Sequence, residues 1–172
     1  MNPVLRNRIV GLLVAAAVYQ IDQRIKSSMV WTLKLDQIET IYLLPIFNLH
    51  WQPNFGVSLG LLTAGSPEER WGLVAMTAAI ALFVLVWMLR ERVLGDILAL
   101  SLVLGGACGN IRDRFELGYV IDYADLHLGS WRPFLIFNLA DVAITVGVLI
   151  ILARSLLSRE KPDAAAVPAP ES

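Results

Sequence analysis

The chain is poor in charge, in histidine and above all in cysteine. Its single cysteine, Cys108, lies in an apolar stretch and excludes an intramolecular disulfide, so the redox setting stays open. Two histidines are too few for a strong zinc pattern: the nearest set, Asp122, Asp125 and His127, lacks a cysteine or second histidine, and no metal is expected. Fourteen Lys and Arg against fifteen Asp and Glu leave a net charge of −1, which gives no basic footprint for nucleic acid. Only 17% of the 172 residues are charged, whereas 56% are hydrophobic and the mean hydropathy is +0.62. That balance is too apolar for a soluble domain of this length and points to a membrane protein. Neither internal repeats nor paired broken spans are visible, which argues against a small proton-coupled transporter.

Four apolar stretches approach the roughly 20 residues that a helix needs to cross a bilayer. The first runs from Ile9 to about Ile25, after Arg6 and Arg8, and turns polar at Asp22, Gln23, Arg24 and Lys26. A signal peptide is the rival reading, since Ala15-Ala16-Ala17 imitates a cleavage site. The apolar core before it is only about six residues, short of the usual 7–15. The second span, Pro67 to Leu89, has a start signal in Ser66-Pro67-Glu68-Glu69: a capping hydroxyl, a first-turn proline and a capping-box glutamate. After the short Arg90–Arg92 turn the third span follows from Val93 to Gly109, making a hairpin. The fourth is expected from Pro133 to about 153, ending before Arg154. The expectation is thus an all-α membrane protein of four transmembrane helices forming one domain, residues 1–157, with 158–172 as a disordered tail.

Lysine and arginine fall seven on each side, but density orients the chain. Arg6, Arg8, Arg90, Arg92, Arg154, Arg159 and Lys161 crowd three short segments, so both termini are expected in the cytoplasm. Residues 26–70 and 110–132 then lie outside. Val30–Leu35 and Ile46–Gln52 alternate apolar and polar residues, and Pro53-Asn54 supplies a turn signal. A small β-structured platform on the outer leaflet is expected there. Asp96, four residues after Arg92, is expected to pair with it, and His50 is read as an interfacial strand residue.

The most informative residue is Asp141, inside the apolar run Phe134–Leu152. A carboxylate near hydrocarbon costs at least about 2.5–3.5 kcal/mol, so it is a functional-site hypothesis by default. A helix begun at Pro133 puts Asp141 about 12 Å down its axis, with Phe137 and Asn138 on the same face. The alternating segment Gly118–Tyr123 can fold down and bring Asp122 to it. If the third helix continues a turn, Asn110, Asp113 and Arg114 project from one side. Such a cluster can brace an active site or be a helix-end cap with a surface ion pair. Gly105 and Gly109, four apart, allow close backbone approach.

These residues fall in blocks. Gly105-Gly106-Ala107-Cys108-Gly109-Asn110-Ile111-Arg112-Asp113-Arg114, then Gly118-Tyr119-Val120-Ile121-Asp122-Tyr123, then Phe137-Asn138-Leu139-Ala140-Asp141 resemble the successive signatures of bacterial lipoprotein signal peptidase, or signal peptidase II. Asp22-Gln23 with Lys26, and Asn54-Phe55-Gly56-Val57-Ser58-Leu59-Gly60, resemble two earlier blocks of that family. The resemblance covers about residues 9 to 155 in order. Departures are the Val57-Ser58-Leu59 run in place of a small-small-aromatic one, Cys108 where an aliphatic is usual, and Tyr123 for a frequent Phe.

The resemblance implies an aspartic endopeptidase of the bacterial inner membrane, acting at the outer face; a monomer is expected. Its substrates would be diacylglyceryl-modified prolipoproteins, cut just before the lipid-bearing cysteine. Asp122 and Asp141 match the catalytic pair. Asp22, Lys26, Asn54, Gly56, Gly106, Asn110, Asp113, Arg114, Val120, Asn138 and Ala140 match positions that shape the site or hold substrate. Two close carboxylates share one proton, so one serves as base on water while the other hydrogen-bonds the carbonyl, and no cofactor is required. A bell-shaped pH–rate profile follows as an expectation, as does an outer platform that clamps substrate.

Overall fold

A computed structural model describes residues 2–57, 62–63, 67–129 and 131–159. The expected four-span architecture is present, with a small sheet at one end. Helix α1 runs Pro3–Ser27 and continues as a π-helical turn over Ser28–Thr32; a short α2, Leu35–Ile38, follows. The strands β1 (Thr40–Leu44), β2 (Phe47–Asn54), β3 (Gly56–Val57) and β4 (Leu62–Thr63) lead into α3, Pro67–Arg90. Helix α4 is Leu94–Glu116, β5 is Val120–Leu126 and α5 is Leu139–Arg159. Helices of 21–25 residues rise at least about 30 Å, enough to cross the hydrocarbon.

α4 is the centre of the bundle. In its most apolar window 56% of residues are buried, against 11%, 28% and 17% for the spans of α1, α3 and α5, whose remaining faces turn apolar side chains outward. Glycine lets the backbones close on α4. A Cβ at Gly106 would stand 2.5 Å from the Ala140 carbonyl oxygen, and one at Gly109 2.5 Å from a carboxylate oxygen of Asp22. Ala15, Ala81, Val84, Met88, Ile97, Leu100 and Leu104 fill the space between α1, α3 and α4. A second cluster, Leu35, Leu49, Ile121, Tyr123 and Ala124, lies under the antiparallel sheet of order β1-β2-β5.

Several sequence expectations are corrected. α1 starts before Ile9 because Asn2 caps it, its Oδ1 accepting from the Val4 amide at 2.9 Å ahead of a first-turn proline. Val30–Leu35 is not a strand: the π-helical turn carries α1 onward, and Lys34, at φ 51°, breaks it into α2. Pro53 and Asn54 are not a turn but the end of β2, paired with Ile121 and Val120. The third helix does not stop at Gly109, because Asn110, Asp113 and Arg114 find buried partners. The fourth helix does not begin at Pro133. Phe137 instead bridges β5, exchanging main-chain hydrogen bonds with Ala124 at 2.8 and 3.1 Å, and α5 starts only at Leu139. It passes Arg154, which takes Asp96 as its partner in place of the expected Arg92. Ser66, Ser58-Leu59-Gly60 and the tail from 160 lie outside the described residues.

Candidate active site

Asp141 is set by the start of its helix. Asn138 and Asp141 form a reciprocal capping pair: the Asp141 amide donates to Asn138 Oδ1 at 3.0 Å, and the Asn138 amide donates to Asp141 Oδ2 at 3.2 Å. Asp141 therefore stands in the first turn of α5, not two turns down, and Phe137 and Asn138 precede the helix instead of sharing its face. The other carboxylate oxygen, Oδ1, accepts from Asn110 Nδ2 of α4 at 2.8 Å.

Asp122 arrives from β5, opposite Gln52 of β2. It is 2% exposed, and both its oxygens are held: Oδ1 by Asn138 Nδ2 at 2.6 Å, Oδ2 by Asn54 Nδ2 at 2.9 Å. Burial, and then the neighbouring Asp141, push its pKa up to about 7. Asn138 thus touches both carboxylates, Asp141 through the main chain and Asp122 through the side chain.

Behind the pair lies a buried ionic cluster. Lys26 Nζ lies 2.9 Å from Asp22 Oδ2 and 2.8 Å from Asp113 Oδ2, and donates to Asn110 Oδ1 at 2.9 Å. Each of these three charged side chains is at most 3% exposed, so a surface cap is ruled out for Asp113. Asp22 Oδ1 accepts from the Ala140 amide at 3.1 Å, tying α1 to the first turn of α5. Asp113 Oδ2 also accepts from the Ile121 amide at 3.3 Å, fixing the strand that carries Asp122. An unbroken chain of polar contacts therefore joins three helices and β5 to the two carboxylates.

The remaining expected residues assemble around them. Arg114 donates to the Gly56 carbonyl at 2.8 Å, and the Gly56 amide donates to Asn54 Oδ1 at 3.0 Å, so the helix holds the loop that positions Asn54. Val120 is buried in the wall, and Gly106 leaves room for Ala140. A cavity of about 490 Å³ opens on Asp122 and Asp141 together, lined also by Asn54, Asn110, Arg114 and Val120. A smaller, mainly apolar slot of about 270 Å³ adjoins it, between Leu126, Phe134 and Phe137 and the α5 residues Asp141, Val142 and Val146.

Three contributors were not singled out from sequence. Gln23 donates to Asp113 Oδ1 at 2.9 Å and to the Gly109 carbonyl at 3.2 Å; its place in the Asp22–Lys26 block was the available signal. The Tyr123 hydroxyl accepts from the Leu139 amide at 3.2 Å, and burial pushes its pKa up to about 12, so it stays neutral. Arg70 donates to the Arg114 and Phe115 carbonyls at 2.9 and 2.6 Å, closing the end of α4. Asp125 turns to Arg132, whose hydrogen bonds hold its carboxyl below the usual range. His50 sits in β2, 2.7 Å from the Thr40 hydroxyl.

A solved bacterial membrane enzyme superposes with a TM-score of 0.79 at 26% identity, covering 92% of this chain and 94% of its own. The chain is 51% identical over 154 residues to a lipoprotein signal peptidase of Rhizorhabdus wittichii, covering 90% of each, and 48% identical to one of Sphingopyxis alaskensis, covering 88% and 87%. The profile of the family described as Signal peptidase (SPase) II matches residues 14–157. With four helices long and apolar enough to cross a membrane and two carboxylates opening on one cavity, the chain belongs to the signal peptidase II family of membrane proteases, which remove signal peptides from prolipoproteins.

Proposed function

We propose that this protein cleaves diacylglyceryl-modified prolipoproteins just before the lipid-bearing cysteine, with Asp122 and Asp141 as the catalytic pair. The observation that carries the reading is that carboxylates from two separate elements open on one cavity and are joined through a single residue, Asn138. Asp122, deeply buried and with its pKa raised to about 7, holds the shared proton; Asp141, half-buried, is the base. Asp141 takes a proton from water as the water oxygen adds to the scissile carbonyl carbon. Asp122 gives its proton to the carbonyl oxygen, leaving a neutral gem-diol. The proton on Asp141 then passes to the amide nitrogen, the C–N bond breaks, and Asp122 recovers a proton from one diol hydroxyl.

The surroundings fit those roles. Asn54 and Asn138 hold Asp122, and Asn110 holds Asp141. Asp22, Lys26 and Asp113 anchor the elements that carry them, with Gly106 and Ala140 giving the close α4–α5 contact. Arg114 and Gly56 fix the Asn54 loop, and Val120 walls the cavity. The apolar slot beside Asp141 suits the lipid-bearing part of the substrate. The dense Lys/Arg segments support a cytoplasmic position for both termini, with the sheet and the site at the outer face. A reporter active only in the cytoplasm, fused after Arg159, tests that orientation.

The deciding experiment is gel-shift cleavage of a diacylglyceryl prolipoprotein by the wild type, Asp122→Asn and Asp141→Asn. Turnover in the wild type alone, with both variants folded, is the expected result. Full activity in either variant overturns the assignment of the pair.

A further inference from the structure

A second cavity, of about 460 Å³, opens on the other side of the α1–α4 pair and shares no lining residue with the cavity of Asp122 and Asp141. The strand alternation separates them: Val120 and Asp122 line the first, Tyr119 and Ile121 the second. Its floor is satisfied, since Lys26, Asp113 and Gln23 bond one another. Its mouth is not. Gln20, Arg24 and Ser27 follow at i, i+4 and i+7 along α1, all exposed, and among the described residues none of the three side chains has a hydrogen-bond or ion-pair partner. The acids in the lining are committed elsewhere, Asp113 to Lys26 and Glu116 to Arg112 at 2.9 Å. The Arg24 guanidinium is therefore an uncompensated positive charge at the rim of a polar hollow.

Its depth is informative. Arg24 stands about 22 Å along α1 from Ile9, where the apolar run begins after Arg6 and Arg8, and the chain turns polar there at Asp22, Gln23, Arg24 and Lys26, so its long side chain reaches headgroup level. Trp31, also lining the cavity, is 79% exposed, as interfacial tryptophans are. Below Arg24 the same stripe continues as Ile21, Ala17 and Leu13, exposed and apolar, on the span with the least buried window. We propose that this cavity binds the phosphodiester headgroup of an anionic phospholipid in the leaflet that carries the sheet. Arg24 pairs with the phosphate, Gln20 and Ser27 donate to headgroup oxygens, and an acyl chain lies along Ile21, Ala17 and Leu13. A planar guanidinium matches a phosphate bidentately, and basic pockets between membrane helices take anionic headgroups by the same chemistry.

The test is native mass spectrometry of the detergent-purified full chain, titrated with phosphatidylglycerol or with phosphatidylcholine of the same acyl chains. The wild type is expected to retain one phosphatidylglycerol at a concentration at least tenfold below that for phosphatidylcholine. Arg24→Gln is expected to abolish that preference, and Arg24→Lys to keep part of it. Cleavage by Arg24→Gln in phosphatidylcholine nanodiscs stays at the wild-type level, because Arg24 takes no part in the carboxylate network. Should Arg24→Gln fail to fold, the pair Gln20→Leu and Ser27→Val is expected to weaken retention at least threefold. Equal retention of the two lipids, or an unchanged preference in the variants, overturns the proposal. Binding of free glycerol 3-phosphate as tightly as the lipid reassigns the cavity to a soluble phosphate ester and overturns it as well.

Discussion

The side-chain amide of Asn138 donates to Oδ1 of Asp122 over 2.6 Å, from the residue that also caps the helix bearing Asp141. One asparagine therefore fixes the separation of two carboxylates that belong to different elements. Asn138→Ala removes the cap, at about 0.5–2 kcal/mol, and leaves Asp122 with a single side-chain donor. The expected outcome is a modest fall in thermal stability with a loss of kcat of at least about tenfold and little change in KM, since positioning of the pair is lost and not substrate binding. Parallel melts and initial-rate measurements check it; a variant with wild-type kcat would mean that the asparagine is only a cap.

The pH dependence has a defined sign. Asp122 titrates near 3.8 when unfolded and at about 7 in the folded protein, so between those values the folded state keeps a proton that the unfolded chain has lost. This contribution to stability is complete below about pH 4 and is lost as pH rises through about 7. The melting temperature of the wild type should fall over that interval, and Asp122→Asn should flatten the trend. On the proposed assignment kcat also falls above about pH 7, by about tenfold per unit at the limit, as Asp122 loses the proton it must supply. A kcat that stays level to pH 9 would contradict it.

Much of the site was legible because its parts carry charge where hydrocarbon forbids it. Asp141 interrupts an apolar run, and Asn110, Asp113 and Arg114 follow helical spacing, so both signals survive without any knowledge of the partners. What failed was boundary reading. Pro133 resembles a first-turn proline, yet the Phe137 main chain gains more by bridging Ala124, and only Asn138 can start the helix. Val30–Leu35 alternates like a strand but follows directly on a helix that has no stop signal before Lys34. Asp96 has a cation one turn earlier in sequence, and its real partner, Arg154, is invisible until α4 and α5 pack together.

The cluster at Lys26 makes a sharper energetic prediction. Two carboxylates, Asp22 and Asp113, share one ammonium, and all three are excluded from water. Lys26→Met leaves two buried anions without a counter-charge, a change of the kind that costs about 3–5 kcal/mol. The triple variant Asp22→Asn, Lys26→Met, Asp113→Asn should be more stable than Lys26→Met alone, because the unpaired charges are gone. Thermal melts of both in one detergent decide the matter, and a triple variant no better than the single one would show that lost hydrogen bonds outweigh the charges.

The tightest contact tests how finely the pair must be placed. A methyl on Gly106 would approach the Ala140 carbonyl oxygen to 2.5 Å and Ile144 Cγ1 to 2.9 Å, and the first of these is backbone that cannot swing away. Gly106→Ala must therefore push the first turn of α5 outward from α4. Overpacking of this kind costs about 1–3 kcal/mol. The displacement has a particular direction: it draws Ala140 away from Asp22 and Asp141 away from Asn110, while Asp122, carried by β5, stays where Asp113 holds the strand. Activity should thus fall at least about a hundredfold in a protein that still folds, since misplacement by 1 Å can cost that much. Gly72→Ala, at a position with nothing within 4 Å of the added methyl, is the matched control and should leave both stability and rate near wild type. Equal behaviour of the two alanine variants would show that the α4–α5 distance does not set the geometry of the pair.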